Sequence, residues 1–84
     1  MEWRLFADLA EVAGDRRVPA EGATVEEALD ALLAARPELR ERVVEDGDLR
    51  ETITVLRNGG TVRDLSAPVE DGDELALMPP VSGG

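Results

Sequence analysis

The sequence predicts a single α+β domain in which one main amphipathic helix covers one face of a mixed β-sheet. Three observations carry this: period-two alternation marks a strand near each end, one apolar helical face lies between them, and β-branched runs broken by Asn, Gly and Pro fill the rest. A chain of 84 residues, 43% of them hydrophobic, makes one domain and shows no repeat, linker or second unit. A domain of this size buries only about 60% of its unfolded surface, which leaves little room for an internal active site.

Glu2 to Ala7 alternates Trp3 and Leu5 against Glu2 and Arg4, as a half-buried strand does, and Phe6 then falls on the polar side. Trp3 is a core residue in this pattern. Asp8 to Ala13 makes a short helical turn that packs Leu9 and Val12, with Gly14 stopping it in a left-handed conformation. Gly14-Asp15 turns the chain into a weak strand, Arg16 to Ala20, around Val18. Thr24 followed by Glu27 is a capping-box pattern, so the main helix begins at Val25. Val25, Ala28, Leu29, Leu32 and Leu33 form its buried face, Glu26, Glu27 and Asp30 line the other, and Arg36-Pro37 ends it. Pro37 opens a second short helical segment through Leu39 and Val43, broken by Gly47.

Thr52 to Arg57 is β-branched and leads into the turn Asn58-Gly59-Gly60 and the short run Thr61 to Leu65. The turn Ser66-Ala67-Pro68 and the acidic turn Asp71-Gly72-Asp73 precede a last strand, Glu74 to Met78, with Leu75 and Leu77 inward. Pro79-Pro80 stops it, because neither residue can donate to a ladder. The first and last strands, each well patterned, are expected to be central neighbours. Residues 1–78 make the domain and residues 79–84 a free tail.

Composition excludes several classes of function. With no Cys and no His the chain has no thiol nucleophile, no disulfide, no zinc site of the usual kind and no histidine base. Nineteen acidic residues against nine basic ones give a net charge of -10, which repels phosphate backbones and speaks against nucleic acid as a partner. The acid excess either keeps the surface hydrated or steers a positively charged protein partner, and both can hold. No apolar run approaches the roughly 20 residues that cross a membrane, and Met-Glu-Trp-Arg is no secretory start, so a cytoplasmic location is expected. All nine basic residues are Arg, as a halophilic source with a GC-rich genome would produce. Without Lys, the chain could receive a copy of itself only on the amine of Met1.

Other candidate sites are weak. Asp71, Asp73 and Glu74 lack the spacing of a calcium loop and read as a solvated turn. Asn58-Gly59-Gly60 is too short for a phosphate loop, and Glu26 and Glu27 lie on a helix surface without a cleft. Nothing supplies metal ligands or a self-complementary stripe, so the isolated chain is expected to be a monomer with no bound metal or organic cofactor.

The tail is the segment with chemical potential. Pro79 and Pro80 stiffen its base, which lowers the entropy lost on ordering in a partner's groove. Gly83 and Gly84, without Cβ, can thread a narrow channel and deliver a terminal carboxylate to another protein's active site.

The stretch Asp71-Gly72-Asp73-Glu74-Leu75-Ala76-Leu77-Met78-Pro79-Pro80-Val81-Ser82-Gly83-Gly84 resembles the C-terminal signature of the small subunit of molybdopterin synthase. The start Leu5-Phe6-Ala7 followed by a short helix is similar to that family's first strand and helix. The resemblance covers essentially the whole chain and is closest to the archaeal ubiquitin-like small modifier proteins, with the thiamine sulfur carrier more distant. It implies a β-grasp (ubiquitin-like) fold and a mechanism centred on the Gly84 carboxylate. An activating enzyme would use ATP and magnesium to adenylate that carboxylate, and sulfur from a persulfide would displace AMP to leave a thiocarboxylate. Sulfur would then pass to a pterin precursor on the large subunit of molybdopterin synthase. In the archaeal modifiers a lysine of a target protein would instead capture the activated end as an isopeptide.

By alternation Phe6 and Met78 lie on the side of their strands opposite Leu5 and Leu77, where a one-helix domain leaves the sheet open, and Val62 is expected to join them. The family docks its partners through an apolar patch there, commonly with an aromatic where Met78 stands. The partner-binding set is therefore Phe6, Val62 and Met78 on the globule with Pro79, Pro80, Val81, Ser82 and Gly83 on the tail. The competing reading is a noncovalent ubiquitin-like binding module, which would tolerate residues added after Gly84.

Overall fold

Strand β1 (Glu2–Leu5) realises the alternation at the start of the chain: Trp3 and Leu5 are buried, Glu2 and Arg4 half-buried. The structure, a computed structural model, describes residues 1–80. Helix α1 (Asp8–Ala13) follows and stops at Gly14, whose φ of 82° brings its amide to Ala10 O. Leu9 and Ala13 are its buried residues, and Val12 is only half-buried. Strand β2 (Arg17–Pro19) then pairs antiparallel with β1, Val18 facing Trp3.

Helix α2 (Val25–Ala35) begins at the Thr24 cap. Thr24 Oγ1 accepts from the Glu27 amide at 3.2 Å, and the Glu27 carboxylate reaches back to the Ala23 amide at 3.2 Å, one residue earlier than in the usual box. All five residues of the apolar stripe are buried. Trp3 Nε1 donates to Ala28 O at 3.1 Å, so the indole is satisfied while its ring fills the space between sheet and helix. Gly22 permits the chain to pass the helix start: its φ is 142°, and a Cβ there would lie 2.7 Å from Ala28 N.

Pro37 opens a 3-10 turn (Pro37–Leu39) that continues into α3 (Arg40–Val43), with Leu39 and Val43 fully buried. The helical segment ends at Val43, not Gly47. Strands β3 (Val44–Glu45) and β4 (Asp48–Leu49) form a small antiparallel hairpin across Asp46 and Gly47, whose φ values of 53° and 84° suit a two-residue turn that follows strand twist. This corrects the expectation of a helix broken at Gly47. Strands β5 (Thr54–Arg57) and β6 (Gly60–Thr61) reverse in the same way through Asn58 and Gly59.

Strand β7 (Glu74–Met78) completes a five-stranded sheet of order β2-β1-β7-β5-β6. β7 runs parallel to β1, with Trp3 opposite Leu75 and Leu5 opposite Leu77, and antiparallel to β5, with Val55 opposite Leu77. These five side chains pack with the α2 stripe, Leu9, Leu39 and Val43 into one core on the helix side of the sheet. The first and last strands are central neighbours, as their patterning predicts. No helix is long and apolar enough to cross a membrane, among the described residues.

The acidic turn departs from expectation at one residue. Asp73 is buried, 8% exposed, and accepts from Arg57 Nε at 2.7 Å, Asn58 Nδ2 at 2.9 Å and the Glu70 amide at 2.8 Å. A carboxylate with three donors is a structural tie between the β5–β6 turn and the start of β7, not a solvated loop residue. The Arg57 bond foremost, then Asn58 and the Glu70 amide, hold its carboxyl at about 2 against an ordinary 3.8. A lowered folded-state value means stability that is fully present above about pH 4 and lost as the pH falls toward 2. Asp73→Asn is expected to lower the melting temperature by several degrees at neutral pH, the gap to wild type closing in that acid window. Exposed Asp71→Asn should do neither, and circular-dichroism melts across pH check both.

Candidate functional site

The tail leaves from the middle of the sheet. β7 is flanked on both sides, so Met78 is fixed by pairing with Thr54, and Pro79, half-buried, and Pro80, exposed, follow at the sheet's end. They border an open cleft of about 320 Å³ that also touches Leu9, Arg42, Arg50 and Ile53. Val81, Ser82, Gly83 and Gly84, the remaining tail positions of the sequence reading, lie outside the described residues.

The face of the sheet away from α2 is open. The β1–β7 register carries Phe6, just past β1, level with Met78, and Phe6 is 36% exposed. Ala7 holds this corner with φ 52°, a value uncommon for a residue with a side chain, and turns the chain abruptly into α1. The Arg4 guanidinium lies 5.7 Å from the centroid of the Phe6 ring. Leu56 pairs with Ala76 on the same face, half-buried and apart from the core. Phe6, Leu56, Ala76 and Met78 thus share the open side of adjoining strands.

Val62 does not join them. Thr61 sits opposite Leu56, and the next step, with the Val62 amide donating to Val55 O at 2.8 Å, puts Val62 level with core-facing Val55. It packs partly buried against the core. Leu56 is the residue the sequence reading missed, although the alternation Ile53, Val55 inward and Thr54, Leu56 outward carried the signal. Among the described residues, no three His, Cys, Asp or Glu side chains are grouped to hold a metal ion.

One main helix laid across a mixed five-stranded sheet, with parallel first and last strands at its centre, defines a ubiquitin-like β-grasp protein. The chain belongs to the ThiS family, which matches residues 3–84. It is 59% identical to Small archaeal modifier protein 1 of Haloferax volcanii over 100% of both chains. The crystal structure of that protein superposes with a TM-score of 0.90, covering 100% of this chain and 98% of the other. The Amycolatopsis orientalis BexX/CysO complex contains a chain 33% identical, with a TM-score of 0.86 and coverage of 99% and 98%. The chain is accordingly a ubiquitin-like modifier or sulfur carrier.

Proposed function

We propose that the working group is the Gly84 carboxylate, activated by an adenylating enzyme and then thiocarboxylated or joined to lysines of target proteins. End-to-end identity of 59% with a small archaeal modifier protein carries this reading. A central strand that runs directly into Pro79-Pro80 supports it, because the globule then fixes where the tail starts. In the first step a carboxylate oxygen attacks the ATP α-phosphate and pyrophosphate leaves, with magnesium and ATP held by the activating enzyme. A persulfide then displaces AMP, and a thiol cleaves the resulting acyl disulfide to free the thiocarboxylate for the large subunit of molybdopterin synthase. Alternatively a lysine amine displaces AMP and forms the isopeptide. The catalytic groups belong to the partners, so the chain needs neither Cys nor His.

Docking is assigned to the open face. Phe6→Ala, Leu56→Ala and Met78→Ala are each expected to cost about 1 kcal/mol or less in stability while weakening binding to the activating enzyme about tenfold. Val62→Ala should leave binding unchanged, and calorimetric titration separates these outcomes. Mass spectrometry of the protein recovered from its host tests the chemistry. Sulfur in place of a terminal oxygen, or substrate lysines carrying the C-terminal tryptic peptide Asp64 to Gly84, since no Lys or Arg follows Arg63, is the expected finding, and neither would be found for a noncovalent binding module.

A further inference from the structure

Beside the apolar patch, between the end of β1, the start of β2 and α1, lies an open groove of about 460 Å³ whose lining includes Arg4, Phe6, Ala7, Glu11, Arg16 and Arg17. The chain has nine basic residues against nineteen acidic ones, yet three of the nine converge here with a single carboxylate in the lining. The backbone sets this convergence. Arg17 stands opposite Arg4 in the β1–β2 register, and Arg16 O accepts from the Leu5 amide at 2.8 Å, which holds Arg16 alongside the Leu5-Phe6 corner.

The local acids do not neutralise the groove firmly. Arg4 meets Glu74 and Arg17 meets Glu2, both at 3.0 Å, but all four side chains are 41% or more exposed. Pairs so open to water contribute little and exchange readily for a better-placed carboxylate. Asp15, next in sequence to Arg16, is engaged by Arg36 at 2.9 Å.

We propose that this groove is a docking site for an acidic segment of a protein partner, whose Asp or Glu side chains enter between Arg4, Arg16 and Arg17 while apolar contact covers Phe6. The groove would act as the charge-reading part of the docking face, contributing orientation and selectivity beside an apolar patch that has neither. The proposal rests on the docking role of the open face, and its test omits adenylation so that the two can fail separately.

The test is a titration of the ¹⁵N-labelled chain with blocked hexaglutamate at an ionic strength of about 0.1 M, where charges act over roughly 10 Å. A net charge of -10 repels this peptide from the molecule as a whole, so binding needs a local basic cluster, and the positions of the shifted amides show whether it is the groove. Saturable shifts are expected at the amides of Arg4 to Ala7, Arg16 and Arg17. The Arg16→Gln/Arg17→Gln variant should keep the wild-type spectrum elsewhere and bind about fivefold more weakly, with Arg16→Gln alone showing part of that loss. No shifts, shifts scattered over the chain, or affinity unchanged in the double variant would overturn the proposal. The same shifts from inorganic phosphate at equal concentration would also overturn it, by making the groove a free-anion site. No ATP or activating enzyme is present, so none of these results bears on Gly84.

Discussion

Deleting Gly84, or adding one residue after it, is expected to reduce adenylation by the activating enzyme by at least about a hundredfold, since a misplacement of roughly 1 Å can already cost that much. One residue more or less moves the reacting carboxylate by about 3.3 to 3.6 Å along an extended tail. The attacking carboxylate oxygen must sit within about 3 to 3.5 Å of the ATP α-phosphorus, so a shift of that size takes it out of range. Affinity should stay largely intact, because Phe6, Leu56 and Met78 sit on the globule and are untouched. Pyrophosphate release read beside a binding isotherm therefore separates the two effects. Normal adenylation of either altered chain would show that the enzyme does not require the carboxylate at the Gly84 position, whereas absence of adenylation on the wild-type chain would return the noncovalent module to first place.

Trp3→Ala is expected to bring the domain close to unfolding at room temperature. Emptying a fully buried Trp costs about 3 to 5 kcal/mol, against total stabilities of roughly 5 to 15 kcal/mol for natural domains. Trp3 is 0% exposed and its indole ties β1 to α2 through Ala28 O, so sheet and helix lose both filling and register together. Trp3→Phe keeps most of the apolar contact and gives up the hydrogen bond, for an expected loss of about 1 to 2 kcal/mol. Urea unfolding followed by circular dichroism orders the three proteins. A Trp3→Ala midpoint close to wild type would show that the helix is held chiefly by other contacts.

Much of this architecture was legible because its patterns are local. The α2 stripe, the Thr24–Glu27 cap, and the alternation of Trp3 with Leu5 and Leu75 with Leu77 each occupy a few consecutive turns or steps, where periodicity is visible. The β3–β4 hairpin was missed because strands of two residues are too short to show a period, although Asp46-Gly47 carried the turn signal. Asp73 was misread for a different reason. Its donors Arg57 and Asn58 lie sixteen and fifteen residues away, and only the pairing of β5 with β7 brings them to it. Val62 was placed on the wrong side because its face depends on hairpin register, which pairs Leu56 with Thr61 and so carries the next residue inward. Within the site, Phe6 and Met78 were accessible to alternation, while the Arg4, Arg16 and Arg17 cluster depends on the β1–β2 pairing.

The parallel pairing of β1 with β7 also joins segments from far apart in the sequence at the centre of the sheet. Arg4 and Glu74, which meet across this pair, are 70 residues apart in sequence, so the centre of the sheet closes only when nearly the whole chain is free to move. A chain lacking its last strand would leave β1 and β5 without their common neighbour, each with an unpaired edge open to association. Loop-closure entropy rises only slowly with length, so the delay lies in the rate of finding this contact more than in its stability. The strand that closes the sheet is also the strand that leads into Pro79-Pro80. A molecule that holds those prolines at the end of a finished sheet has therefore already made this long-range pairing, and a misfolded copy has no such platform from which to present the residues beyond.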